Sequence, residues 1–307
     1  ASKVVIGVSG GIDSAVNAAL YRSILPAENI LLVNTPTRYN SELTKGLAAE
    51  LAKNLGCQLL TVPIGDFIDE TADALEGLPL PDDTVHLTGF MKENMQARDR
   101  SSRILAALSA AFGGIFTCNA NKTETTVGYG TLYGDLAGAF AATADLWKYQ
   151  IYDLGRKLNA WYGRAVIPEG IFTVMPSAEL SENQDVTQGK GDPLIYEYHD
   201  YLFRSFIEPW QRQTPEDILK AYAKGNLEDL IGCSIIVSNI FPTAKDFIED
   251  LEKWWNLFSG FAVAKRIQTP PLLAVSRRPY GYDLRESQLR PYYTDAYLSL
   301  KEKLLAD

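Results

Sequence analysis

The stretch that most limits what this chain can fold into is S-G-G-I-D-S, Ser9–Ser14, set between K-V-V-I-G-V and A-V-N-A-A-L. Val4, Val5, Ile6 and Val8 make a short apolar run of the kind a buried parallel strand shows. Ala15, Val16, Ala18, Ala19 and Leu20 then place apolar residues about one turn apart, which predicts a helix with Asp13 or Ser14 as its N-cap. Between the two lie Ser9, Gly10 and Gly11. Paired glycines let the backbone turn sharply and bring N–H groups close to a ligand without Cβ obstruction. A strand, a glycine turn and a helix N-terminus together favour an anion, because unpaired N–H groups and the helix dipole both attract negative charge. The context points to a phosphate site; the alternative is a tight turn with no ligand.

The kind of phosphate site can be narrowed. The chain holds no G-x-x-x-x-G-K-[ST], and no G-x-G-x-x-G follows the strand, so neither a Walker loop nor a dinucleotide fingerprint is present. S-G-G-x-D-S instead resembles the PP-loop of the ATP pyrophosphatases, enzymes that split ATP into an enzyme-held adenylate and pyrophosphate. An acid inside a phosphate loop makes chemical sense when a divalent cation lies between the two. Asp13 is therefore a candidate Mg²⁺ ligand, with the Ser9 and Ser14 hydroxyls as phosphate donors.

Composition removes several classes. A net charge of −9 over 307 residues argues against a nucleic-acid surface, which needs a basic face. Cys57, Cys118 and Cys233 are isolated, with no C-x-x-C spacing, which suits a reducing cytoplasm and no structural disulfide. With only His86 and His199 beside them, no zinc cluster is expected. No apolar run reaches membrane-spanning length, and a chain opening on a strand is expected to carry no signal peptide.

Further along, Ile30–Val33 reads as a second strand, and Ser41 as the cap of a helix in which Leu43, Leu47, Leu51 and Leu55 recur before Gly56 at C′. A third strand is expected over Gln58–Val62, a helix over Phe67–Leu75, and a loop over residues 77–90 that could close over the site. A long helix follows from Met91 to Phe112, then Gly113-Gly114 and a fourth strand, Ile115–Cys118. Strand and helix alternating at this spacing predict a doubly wound parallel α/β sheet, whose ligands sit at the carboxyl ends of the strands. That edge receives Ser9–Ser14, Asn34–Ser41 and the polar stretch Asn119–Asp135. An amphipathic helix is expected over Asp145–Trp161, then a polar loop to Pro193, and helices over Leu194–Phe206, Pro215–Lys224 and Thr243–Phe258. The whole is read as a single domain, residues 1–175 forming the nucleotide-binding core and 176–307 a mostly helical extension.

Taken in order, the motifs resemble those of the NAD synthetases, from Lys3 to about Asp185 and again from Lys265 to Arg285. The resemblance rests on S-G-G-I-D-S (9–14), P-T-R-Y-N-S (36–41), E-N-M-Q-A-R (93–98), N-K-T-E (121–124), Y-G-T-L-Y-G-D (129–135), D-L-W-K (145–148), P-S-A-E-L (176–180) and K-R-I-Q-T-P-P (265–271). It implies ATP-dependent amidation of deamido-NAD: ATP adenylates the nicotinate carboxylate, pyrophosphate leaves, and ammonia attacks the mixed anhydride. By the same resemblance Ser9, Gly10, Gly11, Asp13, Ser14, Arg38, Lys148 and Ser177 would hold ATP, and Asp13 and Glu124 would hold Mg²⁺. Arg98, Lys122, Tyr129, Tyr133, Asp135, Lys265 and Arg266 would meet deamido-NAD. Asp135 would collect and deprotonate the ammonium, since a protonated amine is no nucleophile.

Two departures stand out. The family's usual T-G-N-K-S-E reads N-A-N-K-T-E here, so Asn119 and Ala120 replace a hydroxyl and a glycine. Gly134–Ala139 and the K-R-x-Q-x-P-P stretch are similar to the glutamine-dependent branch, yet only eight residues precede Ser9. The expectation is a synthetase portion separate from its glutaminase domain or subunit, working on free ammonia, and forming a homodimer. The rivals are another PP-loop amidating enzyme of GMP-synthetase-like type and a nucleotide-binding module weakened in catalysis.

Overall fold

Four parallel strands set the frame: β1 (Val4–Gly7), β2 (Ile30–Asn34), β3 (Gln58–Thr61) and β4 (Ile115–Phe116), in the order β3-β2-β1-β4. The computed structural model describes residues 2–181, 184, 186–280 and 290–306, so Asp185 and Arg285, the far ends of the two resembling stretches, lie outside them. Val4 registers with Ile30 on one side and with Ile115 on the other. Being central, β1 is covered on both faces, and Val5 and Ile6 are fully buried. Val4, Ile6 and Val8 pack with one apolar cluster, while Val5 joins Leu31, Val33 and Leu105 in another. That explains why the run is continuously apolar instead of alternating. Strand order reverses direction between β1 and β4, and a crevice opens beyond the carboxyl ends of the strands at such a switch point.

The helices are α1 (Ile12–Arg22), α2 (Glu42–Leu55), α3 (Gly65–Leu75), α4 (Gly89–Arg98), α5 (Ala106–Phe112), α6 (Lys122–Val127), α7 (Lys148–Trp161) and α8 (Glu169–Thr173). They continue with α9 (Tyr196–Ile207), α10 (Pro215–Lys224), α11 (Leu227–Ile231), α12 (Ala244–Ser259), α13 (Ala262–Gln268) and α14 (Asp295–Ala306). Several boundaries follow from capping chemistry read in the sequence. Ser41 accepts a hydrogen bond from Thr44 N at the start of α2, and Gly56 takes φ +70° at its end.

Other boundaries differ from the expectation. The N-cap of α1 is Gly11, so Asp13 and Ser14 fall in its first turn, and Ser14 Oγ turns back to Gly11 O over 3.1 Å. The long helix begins at Gly89, capped by Thr88, and is interrupted by a π-helical segment, Asp99–Leu105, before α5 resumes. β4 ends at Phe116, and residues 139–140 run beside it: Ala139 N donates to Phe116 O and Cys118 N to Phe140 O. Helix α7 begins at Lys148, not Asp145; Asp145 is a buried loop residue whose carboxylate accepts from Val275 N and Ser276 N. Residues 77–90 fold back on themselves through a Pro79–Thr84 bridge, and their last two residues belong to α4.

The C-terminal helices enclose an aromatic core in which His199 stacks on Phe203 and both meet Trp254 edge-on. His199 Nδ1 accepts from Ile195 N, which leaves Nε2–H for Asp250 over 3.0 Å, so this histidine is a satisfied core residue. The same apolar cluster takes in Cys118, Val127, Leu136 and Trp147, which joins this part to the strand edge. No helix among the described residues is long and apolar enough to cross a membrane.

Candidate active site

Gly10 is the tightest point of the loop after β1. Its φ is +89°, and a Cβ there would stand 2.1 Å from Thr44 O, so only glycine lets the loop lie against α2. The two serines hold the turn: Ser9 N donates to Ser14 Oγ at 3.3 Å and Gly11 N to Ser9 Oγ at 3.2 Å.

Asp13 leaves this turn toward α6 and α7. Its Oδ1 accepts from Asn121 Nδ2 at 2.8 Å and its Oδ2 from Lys148 Nζ at 2.6 Å. Lys148 Nζ also donates to Glu124 Oε1 at 3.2 Å and lies 4.7 Å from the Tyr196 ring centre. Asn121 caps α6 by accepting from Glu124 N, so one asparagine positions both carboxylates. Tyr196 and Tyr129 bring in a third acid, donating to Asp192 at 2.9 and 3.2 Å.

Negative charge is therefore in excess around one lysine. Burial, with Asp13 and Asp192 nearby, pushes the Glu124 carboxyl up to about 7 against the opposing pull of Lys148. Burial alone would lower the Lys148 pKa, but Asp13 and Glu124 outweigh it and hold the ammonium charged. Asp135 accepts from Thr131 N at 2.8 Å and lies within the electrostatic reach of Lys265.

Ser9, Gly11, Asp13, Ser14, Glu124, Tyr129, Asp135, Lys148 and Ser177 line one cavity of about 160 Å³. The P-S-A-E-L loop forms its wall. Ser177 Oγ donates to Gln184 O, while Glu179, held at φ +46°, accepts from Ser41 N at 3.2 Å and Thr44 Oγ1 at 2.7 Å. Among the described residues no group of three or more His, Cys, Asp or Glu forms a metal cage. Asp13 and Glu124, which converge on one ammonium, do fit Mg²⁺ held by two carboxylates with substrate phosphates completing the shell.

Six of the expected residues sit elsewhere. Lys122 is fully buried and bonded to Asp145, Glu208, Ser276 Oγ and the Arg278 carbonyl, so its charge is internally matched. Arg266 is buried and donates to Thr126 O and Phe258 O. Lys265 donates to Gly128 O at 2.7 Å, facing Asp135 electrostatically from behind. Arg98 donates to Leu132 O, and Tyr133, at φ +59° and exposed, is pinned through its N–H to Gln268. Arg38 is exposed, pairs with Asp69 at 3.2 Å, and lines a separate cavity with Lys45 and Lys92. Asn119 donates to Gly7 O across the strand ends, so the residue replacing the family's hydroxyl joins β4 to β1.

Asp192, Tyr196 and Arg100 reach the site without having been singled out in the sequence. Asp192 stands in a polar loop with no periodicity, and Tyr196 reads as ordinary helix-face packing. Arg100 alone left a signal, as a second arginine two residues beyond Arg98.

The family model for NAD synthase matches residues 1–231. A glutamine-dependent NAD(+) synthetase of Thermotoga maritima is 40% identical over 219 residues, covering 70% of this chain and 36% of its own length. The chain spans less than half the length of the curated relatives it matches. The fold is that of the Cytophaga hutchinsonii glutamine-dependent NAD(+) synthetase, at 18% identity and TM-score 0.71 over 98% of this chain and 52% of that one. The Acinetobacter baumannii glutamine-dependent NAD+ synthetase, solved in complex with ADP, aligns at 26% identity and TM-score 0.51 over 95% of this chain and 46% of its own. A glycine turn at the carboxyl end of β1, an acid–lysine cluster beside it and a family match through both place this chain in the NAD synthase family.

Proposed function

We propose that the chain converts deamido-NAD to NAD with ATP and ammonia, releasing AMP and pyrophosphate. One observation carries the reading: Asp13, Glu124, Lys148 and Asp135 line a single cavity around the glycine turn. The nicotinate carboxylate oxygen attacks the α-phosphorus, and the bond to the β-phosphate breaks with its electron pair leaving on pyrophosphate. Ammonia then attacks the acyl carbon, the C–O bond breaks with its electrons going to AMP, and the nitrogen loses a proton. Asp135, which lines the same cavity, would receive that proton. Lys148 presents fixed positive charge to the phosphates, and Ser9 and Ser14 offer hydroxyl donors from the turn. Bound by Asp13 and Glu124, Mg²⁺ would neutralise charge on the polyphosphate.

That the Acinetobacter baumannii relative was solved in complex with ADP supports an adenine nucleotide as a ligand. By resemblance we also propose a homodimer, a cytoplasmic setting, and a glutaminase partner as the physiological ammonia source. The test is incubation with deamido-NAD, ATP, ammonium chloride and MgCl₂, following NAD, AMP and pyrophosphate together. Equimolar formation of the three is expected. Production of ADP and phosphate, or pyrophosphate release indifferent to deamido-NAD, would overturn the reading.

A further inference from the structure

Arg100 is a cation at the same edge that the acid–lysine cluster does not use. It stands in the π-helical segment Asp99–Leu105, and such segments are frequent at functional sites. Its Nη1 donates to Ala178 O at 3.3 Å and its Nη2 to Asn40 Oδ1 at 3.2 Å, both neutral acceptors. Its Nε is sealed from solvent and has no acceptor among the described residues. The nearest acids are engaged elsewhere: Glu179 accepts from Asn40, Ser41 and Thr44, and Asp135 from Thr131 N. Burial pushes the guanidinium down to about 10 against the pull of Asp135 and Glu179. A guanidinium held partly out of water without a contacting carboxylate is costly, and an oxyanion is the group that relieves it.

The cavity that Arg100 lines, about 200 Å³, is bounded by Ser9, Asp13 and Ser14, by Asn34 and Asn119 at the strand ends, and by Asp135. Ser9, Asp13, Ser14 and Asp135 also line the cavity that holds Lys148, whereas Lys148 does not line the cavity of Arg100. The glycine turn thus has a cation on each side, with Asp135 shared. A polyphosphate laid across the turn would have Lys148 at one end and Arg100 at the other.

We infer that Arg100 contacts the phosphoryl group that stays on the adenosine, first in ATP and then in the adenylate. When ammonia displaces AMP, the electron pair of the broken C–O bond arrives on that phosphate, and the guanidinium holds the added charge. The inference deepens the reading above and rests on it for the reaction, but not for nucleotide binding.

The test uses the whole chain and two separate ligands, AMP and inorganic pyrophosphate, titrated calorimetrically with MgCl₂. Arg100→Ala is expected to weaken AMP about 10- to 100-fold while leaving pyrophosphate binding unchanged. Arg100→Lys should recover part of the loss, since it returns the charge but not the planar fork. A structural staple would lower both ligands together, and that result, or AMP binding indifferent to Arg100, overturns the inference. Should Arg100→Ala unfold, Arg100→Gln carries the same comparison. Turnover of α-thio-ATP against ATP gives a second readout: the sulfur penalty of the wild type should collapse in the variant, and a penalty that persists counts against the contact. If the wild type makes no NAD but AMP binding depends on Arg100, the reaction fails and the contact stands. If NAD is made and AMP binding ignores Arg100, the reverse holds.

Discussion

Lys148 Nζ lies 2.6 Å from Asp13 Oδ2, a contact made across 135 residues of sequence and shared, at 3.2 Å, with Glu124. The lysine expected to hold phosphate thus bridges the two carboxylates expected to hold metal. On the proposed reading, Asp13 and Glu124 would hold Mg²⁺ in place of the ammonium, which would free Lys148 to meet phosphate.

Removing either acid should stop the first half-reaction. Asp13→Asn and Glu124→Gln are expected to lower deamido-NAD-dependent pyrophosphate release by about 10²–10³-fold while circular dichroism shows an intact fold. Release near the wild-type rate in either variant would remove that carboxylate from the site.

Glu124 also sets a pH dependence on folding. Its pKa is raised from 4.5 to about 7, so the folded state holds this proton more tightly than the unfolded chain. The contribution is fully present below about pH 4.5 and fades as pH rises through about 7. In metal-free buffer, urea midpoints should show Glu124→Gln gaining on the wild type between pH 5 and pH 8. A constant difference across that window would mean that Glu124 titrates normally.

Asp135 should separate the two steps. Its proposed partner is ammonia, so Asp135→Asn is expected to slow amide formation by about 10²-fold or more and adenylation much less. Quench-flow with radiolabelled ATP should then show the adenylate accumulating; equal loss of both steps would make Asp135 a positioner of the nicotinate.

Glutamine hydrolysis needs an activated nucleophile, and the thiols here are poorly suited. Burial pushes Cys118 up to about 12 and raises Cys57 and Cys233. Parallel assays with ammonium chloride and with glutamine should give NAD from ammonium alone. Efficient synthesis from glutamine by the purified chain would contradict this.

Lys122 offers a contrast between a motif residue and a site residue. Lys122→Met leaves Asp145 and Glu208 without their cation, and a loss of roughly 3–5 kcal/mol in unfolding free energy is expected. A variant that unfolds at the wild-type denaturant concentration but shows a raised KM for deamido-NAD would return Lys122 to the substrate.

What could be read from sequence was what short-range chemistry decides. The β1 run, the Ser41 cap, Gly56 and the Pro215–Lys224 helix are fixed by residues within a turn or two of one another, and they appear where expected. Asp13, Glu124 and Lys148 fall in the first turns of their helices, which is where the sequence pattern puts helix starts or polar strand ends. The π segment was not, because it keeps the apolar pattern of the helix around it and differs only in hydrogen bonding. Nor was the fate of Lys122: its partners Glu208 and Ser276 lie 86 and 154 residues away, and no local pattern announces them.

The Asp145 loop bears on how the fold comes into being. Its carboxylate receives the N–H groups of Val275 and Ser276, and through Lys122 it braces the same short helix that presents Glu124. On a ribosome, the sheet and the glycine turn can condense while the last third of the chain is still unmade, since domains begin folding from the N-terminus during synthesis. Glu124, though encoded early, acquires its bracing only after residue 276 has emerged. The bracing of the Glu124 helix therefore trails the completion of the sheet at Phe116 by the synthesis of the chain as far as Ser276.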